Sequence, residues 1–341
     1  MQCTLLIPHL FWPQEAADAV ASGLELPAFR TLLGRSRAER FDAVPYEGWL
    51  CRAFQVERQQ DWPVAPLTLT IDGGEVGGAY CLRADPVHLK MQRDRLLLIE
   101  NALFDVSAED AQALVFSLNQ HFAAEGIAFY TRDPKRWYAK VPRQPKLVTR
   151  SMSEVAGNDV DAFLPTGEDA LPWHRLFNEA QMVLHASPAS AARDERGEPA
   201  VNSVWFWGGG VQTRVRGQPY AMVWSDDALA VALATLADIP VRDCPDGAEA
   251  VCRLGEEGSA YLIVLSELSS ATAHHDSNAW RKRMSALETR WFAPMLRALR
   301  HREITRLSVV VPGAASCWRF DIASRDLLKF WRSARPWSEY S

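Results

Sequence analysis

The chain has 341 residues, 48% hydrophobic and 23% charged, and 37 Lys and Arg against 42 Asp and Glu leave a net charge of -5. That length is enough for two domains or for one domain carrying an insertion, and the composition excludes a disordered chain. An acidic balance spread over the whole length excludes a general attraction to nucleic acid or anionic membrane, and six dispersed cysteines without a C-x-x-C pair exclude a zinc knuckle or a secreted disulfide scaffold.

The opening MQCTLLIPHLFWP has an apolar run but no basic lead-in and no small-residue cleavage site. It reads as the first β-strand of a cytoplasmic protein, and no apolar stretch reaches bilayer length. Pro27 to Arg40 is expected to form a short helix ending at Gly34, followed by a basic loop. A second helix is expected over 46–56, where Trp49, Leu50, Ala53 and Phe54 share one face. The prolines between Trp62 and Pro66 mark a boundary, and LTLTIDGGEVGGAYCLRADPVHLKM beyond them reads as a strand, a glycine-rich turn and a second strand. Asp85 and His88 are three apart there, so on an extended strand they face opposite ways, and Pro86 points to an edge or bulge. RLLLIENALFDV supplies a further strand.

Ser107 with Asp110 three residues on begins a helix whose apolar face is Ala111, Leu114, Val115, Leu118 and Phe122, stopped by Gly126. Two more strands surround Asp133-Pro134. Leu171 to His185 is a helix with a polar stripe of His174, Asn178, Gln181 and His185, read as its solvated side. VNSVWFWGGG, Val201 to Gly210, then reads as a buried strand delivering three glycines to the edge of a sheet. After it, strands near 220–224, 260–265 and 307–312 alternate with helices over 226–237 and 278–300, the latter interrupted at Pro294, and a last helix is expected over DLLKFWRSARPW. This alternation implies an α/β fold with a mostly parallel sheet covered on both faces. The expected division is a discontinuous core domain, 1–65 and 171–341, and an inserted α/β domain, 66–170. Thirteen tryptophans are more than a core of this size absorbs, so several are expected to line a surface or cleft.

The order of several segments resembles the archaeal-type cofactor-independent phosphoglycerate mutases of the alkaline phosphatase superfamily. These segments are LLIPHL, LFDVSAEDAQALVFSLNQHFAAEGIAFY, RWYAKV, the run from LPTGEDALPWHRLF to VNSVWFWGGG, SAYLIVLSELSSATAHHDSNAWRKRMSALETRWFAPMLRAL and RLSVVVPG. ADPVHL, LNQHFA and VNSVWFWGGG look more specifically like the RpfE-type regulatory proteins. The resemblance implies an alkaline-phosphatase-like sheet with a smaller insertion. It also implies chemistry resting on two divalent metals, held by carboxylates and histidines, that activate a serine or threonine nucleophile.

Several of those groups are replaced in this chain. His9 stands where the resemblance places an Asp, and Tyr46 to Arg52 contains Cys51 but no serine or threonine. SSATAHHDSN keeps only His275 (or His274) and Asp276, and Pro312 to Ser316 replaces a DH-S/T turn. The expectation is therefore a degenerate protein that binds or regulates rather than transfers phosphate, with no cofactor. The alternative is a divergent phosphomutase or phosphatase holding one zinc or manganese ion at His9, His275 and Asp276. His274, Asn202, Gly208, Gly209 and Gly210 are candidate cleft-lining residues. The partner expected is a small phosphorylated ligand or another protein, with no membrane. A homodimer contact through Phe330, Trp331 and Trp337 fits the apolar C-terminus. The arginines of the 278–300 helix would serve nucleic acid only as a third reading.

Overall fold

The computed structural model describes residues 1–13, 16–92 and 94–340. Among them run the strands β1 (Gln2–Leu6), β2 (Arg37–Phe41), β3 (Tyr80–Gln92), β4 (Arg95–Glu100), β5 (Ala128–Asp133), β6 (Arg136–Val141), β7 (Ser203–Gly210), β8 (Met222–Trp224), β9 (Val241–Arg242), β10 (Ala260–Val264), β11 (Arg306–Val311) and β12 (Cys317–Ala323). The chain forms two compact units, Met1–Phe54 with Arg216–Ser341, and Gln55–Val215. The second unit is wider at both ends than the 66–170 insertion expected from sequence.

In the first unit a seven-stranded sheet has the order β2-β12-β11-β1-β10-β8-β9. β1 lies parallel between β10 and β11, with Leu5 opposite both Ile263 and Val309, and β8 and β9 continue the parallel run. β12 is antiparallel to β11 and to β2. The apolar runs TLL, LIV and VVV are what a parallel strand needs when helices cover both faces, because neither face can then be polar. Phe29 and Leu32 of the helix Pro27–Arg35 join one buried cluster with Trp280, Met284 and Leu287 of the helix Ser277–Leu287.

The helix expected over 278–300 is present as Ser277–Leu287 and Ala293–Arg300, joined by a π-helical turn at Glu288–Phe292. Pro294 has no N–H to give the turn before it, and the wider turn absorbs that loss without breaking the axis. Glu288, within that turn, accepts from the backbone N–H groups of Ala28 and Phe29 at 2.6 and 2.9 Å. A carboxylate there satisfies donors that the start of the helix Pro27–Arg35 leaves open.

The second unit is built on a five-stranded antiparallel sheet centred on β3, which pairs with β4, β6 and β7. β6 runs beside Tyr80 to Arg83 and β4 beside Val87 to Gln92, while β7 covers Cys81 to Val87. Pro86 thus falls in the gap between two ladders, where its missing N–H costs no hydrogen bond, which is how a proline fits a long central strand. The helix Ala108–Phe122 begins at Ser107, whose side chain accepts from the Asp110 N–H at 3.0 Å, as its capping pattern implies.

Three local expectations are corrected. Val64–Ile71 is a helix, not a strand: burial of Val64, Ala65, Leu67 and Leu69 overrides the β preference of LTLTI. The strand VNSVWFWGGG belongs to this antiparallel sheet, as β7, and not to the core sheet. Alternation of elements in the chain cannot tell which of two sheets a buried strand joins. The C-terminal segment has short 3-10 turns at Ser324–Leu328 and Trp337–Glu339 in place of a helix. The tryptophans are also more buried than expected. Nine of the thirteen are buried, and Trp331 alone is exposed.

Candidate functional site at the carboxyl edge of the core sheet

Because β1, β8, β10 and β11 are parallel, their carboxyl ends share one edge, the place where open α/β sheets put ligands. His9 follows β1, Ser225 to Asp227 follow β8, Glu267 to Asp276 follow β10, and Pro312 to Ser316 follow β11. An isolated bridge between Val44 and Gly313 brings in the segment that leads to the helix Tyr46–Ala53.

His9 adopts a left-handed backbone (φ 59), and its carbonyl accepts from Trp280 Nε1 at 3.3 Å. Its Nδ1 is buried and has no hydrogen-bond partner among the described residues. Burial lowers its pKa from 6.5 to about 4, because a charged imidazolium would lose its hydration there. An NMR titration of the His9 ring protons is expected to give a midpoint near pH 4. A folded-state value below the unfolded one also means that His9 withdraws stability as the pH falls from 6.5 towards 4. A midpoint near 6.5 would contradict the burial.

Four carboxylates along this edge accept from protein donors. Asp226 accepts from the Cys244 N–H at 3.0 Å, and Asp227 from the Ala230 N–H at 2.9 Å. Asp276 accepts from the Ala279 N–H at 2.9 Å as the N-cap of its helix, and Glu267 pairs with Arg290 at 2.7 Å. His275 and Asp276 are exposed, and His274 is half-buried with its pKa lowered by burial and by His275. Among the described residues no group of three or more His, Cys, Asp or Glu is drawn together to hold a metal ion. The donor set of His9, His275 and Asp276 therefore does not fit one.

Nucleophilic groups fare similarly. Cys51 is fully buried, and burial together with the nearby Glu47 pushes its thiol well above the usual range, which opposes the thiolate. Tyr46 is raised by burial and by Asp227 and Glu47. Tyr46, Glu47, Asp226 and Asp227 were not singled out from sequence. The Ser-Asp-Asp run directly after the MVW strand was the available signal for two of them.

The other candidates lie in the second unit. Asn202 accepts from the Leu89 N–H at 2.7 Å and donates to the Leu89 carbonyl at 2.9 Å, an arrangement that fastens β7 to β3. Gly208, Gly209 and Gly210 are buried in β7, where side chains would meet Val64, Tyr80 and Pro63. The structure gives these three glycines a packing role. His88 Nδ1 lies 2.8 Å from the Ala200 carbonyl, and His174 Nε2 lies 2.8 Å from the Pro165 carbonyl.

No family model matches the chain. It is 23% identical to a 2,3-bisphosphoglycerate-independent phosphoglycerate mutase of Methanosarcina acetivorans over 265 residues, 70% of this chain and 66% of that protein. A probable enzyme of the same name from Geobacter sulfurreducens is 27% identical over 154 residues, covering 44% and 38%. The cofactor-independent phosphoglycerate mutase of Thermoplasma acidophilum superposes with a TM-score of 0.51 at 11% identity, covering 100% of this chain and 94% of that one. The PH0037 protein of Pyrococcus horikoshii gives 0.57 at 10% identity, covering 99% and 92%.

The chain is a homologue of the cofactor-independent phosphoglycerate mutases. The matched segments span 38% and 66% of these curated relatives' own length. The solved structures add the fold: a mostly parallel central sheet flanked by helices. Among the described residues no helix is long and apolar enough to cross a membrane.

Proposed function

We propose that this chain is a phosphoglycerate-mutase-like protein of the RpfE regulatory type that does not transfer phosphate and acts by binding a ligand or partner. One observation carries this reading. Four acidic groups along the carboxyl edge, Asp226, Asp227, Glu267 and Asp276, each accept from a donor of the protein itself. Metal-assisted phosphoryl transfer needs carboxylates left free for ions, and a nucleophile whose pKa those ions lower. Here the thiol at the expected nucleophile position, Cys51, is raised instead.

The test is a paired measurement on the purified full chain. Metal content after incubation with zinc or manganese is expected to stay substoichiometric, and interconversion of 2- and 3-phosphoglycerate to stay at the blank. Two ions per chain with turnover would overturn the proposal.

A second reading, a divergent phosphomutase or phosphatase with one ion, draws on the unpartnered Nδ1 of His9. It requires His275→Ala to remove both metal and activity. A nucleic-acid role would draw on the arginines of residues 277–300. Of these, Arg281 holds the Val20 and Ser22 carbonyls, Arg283 the Glu267 carbonyl, Arg290 Glu267 and Arg297 Glu249.

A further inference from the structure

Away from the carboxyl edge, the first unit has a cleft of about 610 Å³ walled by the helix Pro27–Arg35, residues 18–23 and the C-terminal segment 332–337. Arg30, Arg35, Arg332 and Arg335 all line it, and among the described residues Asp18 is the one acidic residue of its lining. We propose that this cleft binds a small anion carrying two or more phosphate groups. The inference adds a ligand site to the reading above without resting on it, because the two sites share no residue.

The walls are held before any ligand arrives. Trp337 is buried and packs on Phe11, Phe29 and Trp280 with ring centroids 5.4–5.7 Å apart. The Trp337 backbone N–H donates to Asp18 Oδ1 at 2.9 Å, and Ser338 also bonds that carboxylate and helps hold its pKa low. Asp18 thus fixes the wall while staying ionised, so its one negative charge stands against four arginines. At Gly34 the C-terminal segment passes so close to the helix that a Cβ would stand 2.6 Å from the Ala334 nitrogen. Only glycine lets this wall close.

The arginines divide into two kinds. Arg35 donates to the Leu327 carbonyl at 2.6 Å, and Arg335 pairs with Glu339 at 3.3 Å. Arg30 and Arg332 are exposed, and their guanidinium groups have no hydrogen bond or ion pair among the described residues. Four guanidinium groups around one cleft, in a chain whose net charge is -5, make a local positive field against an acidic background. A planar guanidinium offers paired donors that match two phosphate oxygens, so phosphate groups suit this lining better than a single-point anion. The volume lies within the roughly 300–1,000 Å³ of small-molecule sites.

Calorimetric titration of the full chain with inorganic pyrophosphate, with inorganic phosphate in parallel, tests this. Saturable pyrophosphate binding at low salt, tighter than that of phosphate, is expected. The double variant Arg30→Gln/Arg332→Gln should bind pyrophosphate at least about tenfold more weakly, in line with losing two charge-assisted contacts, with its melting temperature unchanged. Arg132→Gln, an exposed arginine of the second unit, makes half that charge change elsewhere and should leave binding intact. The proposal is overturned if the wild type shows no saturable binding at millimolar pyrophosphate. It is equally overturned if the double variant binds as the wild type does, or if the Arg132 variant loses as much.

Discussion

Replacing Asp85 with alanine is expected to lower the unfolding free energy by about 3–5 kcal/mol, because it strands a charged guanidinium in the core of the second unit. Asp85 Oδ1 accepts from Arg83 Nη2 at 2.7 Å and Nε at 3.0 Å and from the Trp137 N–H at 3.3 Å, while Oδ2 accepts from Trp207 Nε1 at 2.8 Å. Asp85 is 2% exposed and Arg83 7%. Burial holds the Asp85 carboxyl above its usual value, and Arg83, Trp207 and Trp137 offset that rise only in part. The guanidinium is also flanked by the rings of Tyr138 and Trp207, 5.4 and 5.3 Å from their centroids, which replace part of its lost hydration.

Urea denaturation reads the effect. A midpoint shift at constant slope would locate it in the native state. The double variant Arg83→Met/Asp85→Leu should be less damaging than Asp85→Ala, since it removes the charge along with its partner and leaves only the two N–H groups unpaired. A single-variant loss below about 1 kcal/mol would mean that water reaches the pair and that the ion pair is not buried as described.

The second large effect is expected at Gly208, where alanine should cost about 2–5 kcal/mol. Its φ is +62, a left-handed conformation worth roughly 1–2 kcal/mol against a residue with a Cβ. A Cβ there would also lie 2.9 Å from the Val64 Cβ, and overpacking of that kind adds about 1–3 kcal/mol. The Gly208 N–H donates to Thr149 Oγ1 at 3.2 Å, and that hydroxyl donates to the buried Asp61 at 2.5 Å, so displacing β7 would disturb a second buried contact. Gly73 is the matched control. Its φ is +74 and nothing lies within 4 Å of the added atom, so Gly73→Ala should carry the backbone term alone. Equal losses at the two positions would show that β7 does not pack on the helix Val64–Ile71 as closely as the structure places it.

These two positions also mark where sequence reasoning reached its limit. Asp85 and His88 were read as residues of opposite strand faces with a structural role, and Asp85 does carry one. Its partners could not be named, because Trp137 and Trp207 come from 52 and 122 residues away. VNSVWFWGGG was correctly read as a buried strand ending in glycines. Its sheet was misjudged, since an apolar run says that both faces are covered and nothing about which strand lies beside it. At the candidate site, His9, His274, His275 and Asp276 were legible as residue types in a particular order. Their states were not: burial depresses His9, a helix start consumes Asp276, and His275 faces solvent.

Local patterning by itself determined the β-α alternation of the core sheet, the Ser107 cap, the apolar faces of the helices 108–122 and 170–185, and the absence of the serine or threonine and most carboxylates that the family resemblance called for. These follow from periodicity, capping and residue identity, which act over a few positions. Only the tertiary structure decided that β7 pairs with β3, that the carboxylates along the carboxyl edge spend themselves on protein donors, and that four arginines from residues 30–335 meet around one cleft. Each of those depends on contacts between distant segments, whose pairing is set by burial and close packing of the whole unit and leaves no mark in the local sequence.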